Sequence, residues 1–242
     1  MNKLILCEGK SDVVLLSYYL DKKCGWSVSR KPPKNIDIKI ESKRNECGYW
    51  YKKNSDYLFI CGVGGKDNFG RFFYQNILRT ILDSSSFSKI AVITDRDDRI
   101  VEDIVLDVVS WMRPIKTALQ ENIWSVGTYE DSFGTVQEVQ ILLRVIPSDH
   151  EGAMETVLLE AISEDPYDTV IVEKSGEFVA SMESVADRYL CSRRLKLKAH
   201  LAVTWAIQSP EKEFHFIDEQ IRERKWEDSE ILYDCFSQLI EI

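Results

Sequence analysis

Residues 4–20 read LILCEGKSDVVLLSYYL, and the way this stretch breaks decides the fold. A continuous apolar run, Leu4–Cys7, stops at Glu8-Gly9-Lys10. A helical pattern then resumes after Ser11-Asp12, with Val13, Leu16, Tyr19 and Leu20 on one face. An uninterrupted apolar run bounded by a Glu-Gly turn suits a central parallel strand buried on both faces, and Ser11 or Asp12 supplies a cap for the helix. The unit recurs. Tyr57–Cys61 runs into Gly62-Val63-Gly64-Gly65-Lys66 and then a helical pattern over 67–82, marked by Phe69, Phe72, Phe73, Ile77 and Leu78 and broken at Ser84-Ser85-Ser86. Lys89–Thr94 (KIAVIT) runs directly into DRDDR at 95–99. Ile100–Ala118 reads as a helix, and strands follow near Trp124–Tyr129 and Val139–Pro147. Helices are expected over Glu151–Ser163, 183–208, about 214–224 and 229–240. Strands alternating with helices predict an α/β protein, a parallel sheet with helices on both faces. It reads as a single domain over 1–242, with a basic insertion at about 24–55 and extra C-terminal helices from about 183 to 242.

The totals describe a globular chain: 242 residues, 44% hydrophobic and 29% charged, enough for a sizeable core. A net charge of −9 argues against indiscriminate coating of nucleic acid, but the charge is unevenly spread. Residues 22–53 hold ten Lys/Arg against three Asp/Glu. A second basic run, Arg188, Arg193, Arg194, Lys196 and Lys198, has no acid among positions 188–198. Two basic stretches on an acidic body fit a phosphate-binding face; the alternative is a pair of solvated surfaces. The Tyr49-Trp50-Tyr51 cluster in the insertion suits either base stacking or packing. The six cysteines include no C-x-x-C pair, and Cys7 and Cys61 sit in apolar strands as small hydrophobes. With no signal peptide ahead of the first strand and no apolar run near the ~20 residues that span a bilayer, the expectation is a reducing cytoplasm and no membrane partner. His150, His200 and His215 share no ligand spacing, and GVGGKDN at 62–68 lacks the phosphate-loop spacing.

In a parallel sheet the site lies outside the carboxyl ends of the strands. The first strand ends in Glu8, the third in Asp95-Arg96-Asp97, so Glu8, Asp95 and Asp97 are expected on one edge. Asp95 and Asp97 are two apart, and in extended or turn geometry both can face one cation. Carboxylate oxygen is the ligand that Mg²⁺ or Mn²⁺ prefers; without a cation such carboxylates repel and raise one another's pKa. Between them, Gly62, Gly64 and Gly65 permit positive φ and let backbone N–H groups approach phosphate.

A strand-Glu8-Gly9 turn followed by a strand-Asp95-x-Asp97 turn, with the glycine loop Gly62–Lys66 between, resembles the Toprim domain of topoisomerases, bacterial primases and OLD-type nucleases. The segments VIPSDHEGAMETVLLEAI (145–162), LKLKAHLAVTWA (195–206) and ILYDCFSQL (231–239) resemble a narrower group of small, stand-alone Toprim proteins of bacteria and archaea. The resemblance implies metal-dependent phosphodiester hydrolysis of DNA or RNA with Mg²⁺ or Mn²⁺. Asp95 and Asp97 would be metal ligands, and Glu8 a ligand or the general acid/base. Glu155 would be a further acidic ligand for a second metal; alternatively it is a first-turn helix carboxylate favoured by the dipole. Lys196 aligns with a lysine that stabilises charge developing at the phosphate, with Lys198 as rival. Nucleic-acid contacts are expected from Lys10, Lys43, Arg44, Lys52, Lys53 and Lys66. An ATPase, where one takes part, would be a separate chain. No tyrosine stands out as a nucleophile, and no zinc-finger spacing accompanies the domain. The alternatives are a non-catalytic nucleic-acid-binding or regulatory module, and an enzyme using the same metals on a small nucleotidyl phosphate.

Overall fold

The computed structural model describes residues 1–34, 36–84, 87–211 and 217–242. Ser85-Ser86, His215 and the opening of the helix expected from about 214 lie outside the described residues.

The elements follow in the order β1 Asn2–Cys7, α1 Lys10–Cys24, β2 Ser27–Ser29, β3 Cys47–Lys53 and β4 Asp56–Gly62. Helix α2 Phe69–Phe72 continues through a π-helical stretch, Phe73–Leu78, into α3 Arg79–Ser84. Then come β5 Lys89–Asp95, α4 Val101–Trp111, β6 Lys116–Thr117, β7 Ser125–Glu130 and β8 Val136–Ile146. The chain closes with α5 Met154–Ile162, α6 Pro166–Met182, α7 Arg193–Gln208, α8 Ile217–Glu223 and α9 Glu230–Phe236.

The sheet runs β2-β3-β4-β1-β5-β8-β7-β6. It is parallel through its centre, β4-β1-β5-β8, and antiparallel at both margins, so the sheet is mixed rather than parallel throughout. The central strands read as continuous apolar runs because both faces are buried. Ile5, Ile60, Ala91 and Leu142 pack on one side with α1, α5 and the C-terminal helices. Leu4, Leu6, Phe59, Val92 and Leu143 pack on the other with α2 and α4. The chain leaves β1 for the first side and β5 for the second. The crevice between these adjacent strands is therefore a topological switch point, where ligands of open α/β sheets bind.

Several sequence expectations change. The end of the insertion is a strand: β3 pairs along the whole of β4, Cys47↔Gly62 to Lys53↔Asp56. There Trp50 packs on Phe59 at 4.8 Å and buried Tyr51 donates its hydroxyl to Ser17 Oγ at 2.6 Å. The helix expected to Ala118 stops at Trp111, since Pro114 biases the preceding backbone away from helix. The C-terminal helices begin at Pro166, not 183. Asp165 caps α6 by accepting from Tyr167 N at 2.9 Å, with Pro166 in the first turn, a start signal present in the sequence. The pattern read over 183–208 becomes helical only at Arg193, where Ser192 Oγ accepts from Leu195 N. Helices α6 and α7 then pair, with Ser175 and Thr204 hydroxyls 2.6 Å apart between them.

Candidate functional site

Parallel pairing of β1 and β5 in the register Leu6↔Val92 sets Glu8, two residues on, beside Thr94. Thr94 Oγ1 donates to Glu8 Oε1 at 2.9 Å, and Asp95 N donates to the same oxygen at 3.0 Å. Glu8 Oε2 faces Arg194 Nη2 at 3.7 Å. Asp95 Oδ1 accepts from Met154 N, the first residue of α5, at 2.9 Å. Asp12, in the first turn of α1, reaches back so that its Oδ2 accepts from Gly9 N at 2.8 Å; Gly9 is the N-cap residue, and Asp12 satisfies its N–H from inside the helix. Glu155, in the first turn of α5, places Oε1 3.1 Å from Lys198 Nζ.

These four carboxylates share one field. Burial, followed by the charges of Glu8, Asp12 and Glu155, pushes Asp95 well above the usual carboxylate range. Burial, with Glu8 and Glu155, pushes Asp12 up to about 7 despite the bond from Gly9 and the charge of Lys198. Burial also raises Glu8, against the hydrogen bond from Asp95 N and the charge of Lys66. Burial and neighbouring negative charge both disfavour the ionised form of a carboxylate.

Asp97 stands apart. Its φ of +56° is left-handed, and its backbone exchanges two hydrogen bonds with Gly152, at 2.7 and 3.0 Å. That turn swings its carboxylate onto Lys66 Nζ at 2.8 Å, while the same ammonium donates to the Asp95 carbonyl at 2.6 Å. Asp97, expected to face one cation together with Asp95, is thus held by Lys66, while Asp95 accepts from Met154 N. Among the described residues, no three His, Cys, Asp or Glu side chains meet as a ligand set. The donor chemistry nevertheless suits a hard divalent ion: the cluster is wholly carboxylate, and one oxygen each of Glu8, Asp12 and Asp95 is tied into the fold by a hydrogen bond. The other oxygen of each lies outside those bonds.

The glycine turn works differently from expectation. Gly64 and Gly65 have φ of +81° and +116°, whereas Gly62 is not in the left-handed region; a Cβ at Gly62 would meet the Gly9 carbonyl at 2.8 Å. The N–H groups of Gly64 and Gly65 both donate to the Glu8 carbonyl, at 3.0 and 2.8 Å. They fix the end of β1 rather than pointing toward a phosphate.

The cations divide. Lys66 lies in the site, and Lys10 opens α1 at the same edge. Lys43 and Arg44 also lie there, because the Arg44 carbonyl packs so closely that a Cβ on Gly64 would come within 2.0 Å of it. Glu46, buried and bound to Arg71 at 2.6 Å, anchors this loop. Lys52 and Lys53 sit at the opposite edge, since Lys53 pairs with Asp56 while Cys47 pairs with Gly62, a separation of about 20 Å along the strand. There Arg30, Lys31 and Lys52 line an open cavity of about 540 Å³. The insertion is therefore not a single basic surface beside the acidic site. Lys196 also departs from expectation: it pairs with Glu183 Oε2 at 2.5 Å, and α7 instead turns Arg194 and Lys198 toward the carboxylates.

Sequence reasoning missed Asp12 as a member of the cluster and Arg194 as a facing cation. Both carried signals. Residues 194 and 198 are four apart on a helix and share a face, while 196 lies on the other side. Asp12 is in the first helical turn after Glu8, beside the strand end that carries it.

The described residues include no helix long and apolar enough to cross a membrane. The chain is similar to the crystal structure of hypothetical protein PH0156 from Pyrococcus horikoshii OT3, at 17% identity and a TM-score of 0.53, covering 99% of this chain and 98% of that one; at this identity the likeness concerns the fold. A glyoxalase family protein from Enterococcus faecalis aligns over 57% of this chain and 92% of its own, with 15% identity and a TM-score of 0.19, too low to carry an argument. No curated protein matches. A family model described as "Protein of unknown function (DUF3226)" matches residues 2–241, and the chain belongs to that family.

Proposed function

We propose that this protein is a Toprim-like, Mg²⁺- or Mn²⁺-dependent nuclease that hydrolyses phosphodiester bonds of DNA or RNA. The observation that carries the reading is the cluster of Glu8, Asp12, Asp95 and Glu155 at the β1/β5 switch point, with Asp12 and Asp95 pushed up by burial and by the charges of the neighbouring carboxylates. Buried carboxylates this close either take up protons or gain a compensating charge, and a divalent cation is the compensation their oxygen chemistry suits.

Glu8, Asp95, Asp12 and Glu155 would hold the metal. When bound, it polarises the phosphodiester and lowers the pKa of an attacking water. The chain's own part is positioning. Thr94 and the Asp95 N–H orient Glu8, whose pKa burial raises above the usual carboxylate range, the direction that suits a carboxylate to proton transfer. Lys66, Arg194 and Lys198 surround the cluster with positive charge that favours an anionic phosphate. Lys198 takes the charge-stabilising role expected of Lys196, and Asp97 serves to hold Lys66. Lys10, Lys43 and Arg44 would guide the strand at this edge. The free thiols of all six cysteines suit a reducing cytoplasm.

The test is incubation of the purified full chain with single- and double-stranded DNA and RNA in Mg²⁺, Mn²⁺ or EDTA. Cleavage dependent on the metal and lost in Asp95→Asn supports the reading. Binding without cleavage in any metal overturns it in favour of the non-catalytic module. That alternative draws on the Lys66–Asp97 pair and on the lack of a converged ligand set among the described residues.

A further inference from the structure

A cavity of about 290 Å³ opens beside the acidic cluster, between the end of β5 and helices α2 and α4. Its inner wall is apolar: Phe69, Val92 and Ile104 line it, with the indole of Trp111. Trp111 is held by ring contacts with Phe69 at 6.0 Å, the two rings nearly parallel, and Phe73 at 5.2 Å. Its rim is polar and paired, with Arg99 Nη2 donating to Asp107 Oδ2 at 2.6 Å. Two of its walls belong also to the acidic site. Thr94 bonds Glu8, and Lys66 bonds both the Asp95 carbonyl and Asp97.

We infer that this cavity is a nucleobase subsite, receiving one base of a strand whose neighbouring phosphate lies at the carboxylate cluster. The inference rests on the nuclease reading for the placement of that phosphate, but base binding itself does not. An apolar slot floored by an indole with polar groups gathered at its rim has the make-up of small-ligand sites. Its volume lies just under the range of about 300–1,000 Å³ for drug-sized ligands, room for one flat ring system rather than a whole nucleotide. Every base has a π-face that gains from stacking or packing on aromatic rings. The rim adds edge readout, because Arg99 offers N–H donors and Asp107 acceptor oxygens. Guanine, with carbonyl O6 beside N1–H and N2–H donors, presents the complementary edge. The shared walls supply the register, since a base packed against Thr94 leaves its sugar-phosphate nearest Lys66 and the carboxylates. The acidic cluster would then cut beside a preferred base rather than at random.

The experiment uses unphosphorylated nucleosides with the full chain in EDTA, which removes phosphate and metal from the question. Saturation-transfer NMR should show contact with the base protons of guanosine, more weakly of adenosine, cytidine and uridine, and none with ribose alone. Ser110, exposed on the rim, can be enlarged without touching the core. Ser110→Phe should reduce the transfer at least fivefold, Asp107→Leu should level the preference for guanosine, and Val126→Thr, on the exposed surface of β7, should leave binding unchanged. Absence of transfer in the wild-type protein, or equal transfer in Ser110→Phe, overturns the subsite. Metal-dependent cleavage with no nucleoside contact removes the subsite and keeps the nuclease reading. Nucleoside contact without cleavage in any metal does the reverse.

Discussion

The two ends of the sheet treat charge in opposite ways. At the carboxyl end, Glu8 and Asp95 are buried, Asp12 and Glu155 lie against them, and Arg194 and Lys198 face Glu8 and Glu155. At the amino end, Arg30, Lys31 and Lys52 stand on an open surface, and Asp56 is shared between the N-terminal ammonium at 2.6 Å and Lys3 at 3.1 Å. Asp56 is accordingly held below the usual range by those partners, while Asp95 is driven well above it. The residue type is the same. What differs is access to water: solvent screens charge at the amino end, while at the carboxyl end each carboxylate feels the others through protein. Similar charges therefore make a strained, desolvated cluster at one end and a solvated surface at the other.

The contrast can be broken most severely at Asp95. Asp95→Asn should lower metal-dependent cleavage on the order of 100-fold or more, the scale of losing a group that stabilises transition-state charge. Its melting temperature should stay level or rise, because one repelling charge is gone. Loss of activity accompanied by unfolding would mean that the carboxylate is structural. The next largest effect separates two lysines of α7. Lys198→Ala removes the partner of Glu155 and should cost about 10–100-fold in turnover or metal affinity, as losing an outer-sphere partner typically does. Lys196→Ala, whose partner is Glu183, should stay within about twofold of the wild-type rate; the reverse order would restore Lys196 to the site.

A pH titration sharpens the comparison further. Asp12 titrates at about 7 in the folded protein and near its ordinary value when unfolded, so the native state holds the extra proton between about pH 4 and about pH 7. Stability is then highest below that window and falls as pH rises through it. Asp12→Asn should flatten this fall in urea denaturation curves. Because a metal must displace the protons, stabilisation by Mg²⁺ should be greater at about pH 8 than at about pH 6. The smallest effect belongs to the amino end. Replacing Lys52 and Lys53 by Gln should leave cleavage of short oligonucleotides unchanged. It should flatten the salt dependence of long-duplex binding by about 0.9 in log–log slope for each phosphate that is no longer neutralised. An equal loss on short oligonucleotides would place those lysines nearer the site than the register allows.

Much of this arrangement was legible along the chain wherever the deciding interaction was local. The apolar run Leu4–Cys7 and the run KIAVIT identify buried strands because neither has a polar face to give to solvent. Asp165-Pro166 marks a helix start that a periodicity reading passes over, because α6 exposes Tyr167, Val170 and Phe178 and buries Ser175. The hydrophobic pattern at 183–208 overruns the true start at Arg193 because residues of a turn satisfy a helical spacing as readily as a helix does.

From the sequence alone came the strand ends and therefore Glu8 and Asp95. A carboxylate immediately after a buried parallel strand has nowhere to go except the carboxyl edge. The tertiary structure decided everything that depends on which elements become neighbours. Pairing of β3 with β4 sent Lys52 and Lys53 to the far edge, although Lys43 and Arg44 lie only a few residues before them. The antiparallel contact of Asp97 with Gly152 turned one carboxylate of the D-x-D pair onto Lys66. The docking of α5 and α7 brought Glu155, Lys198 and Arg194 to residues near the opposite end of the chain. Burial itself, which raises Asp12 and Asp95, exists only once those helices close over the edge. Local propensity acts over a turn or a strand, whereas desolvation and ion pairing act between surfaces that meet only in the folded chain.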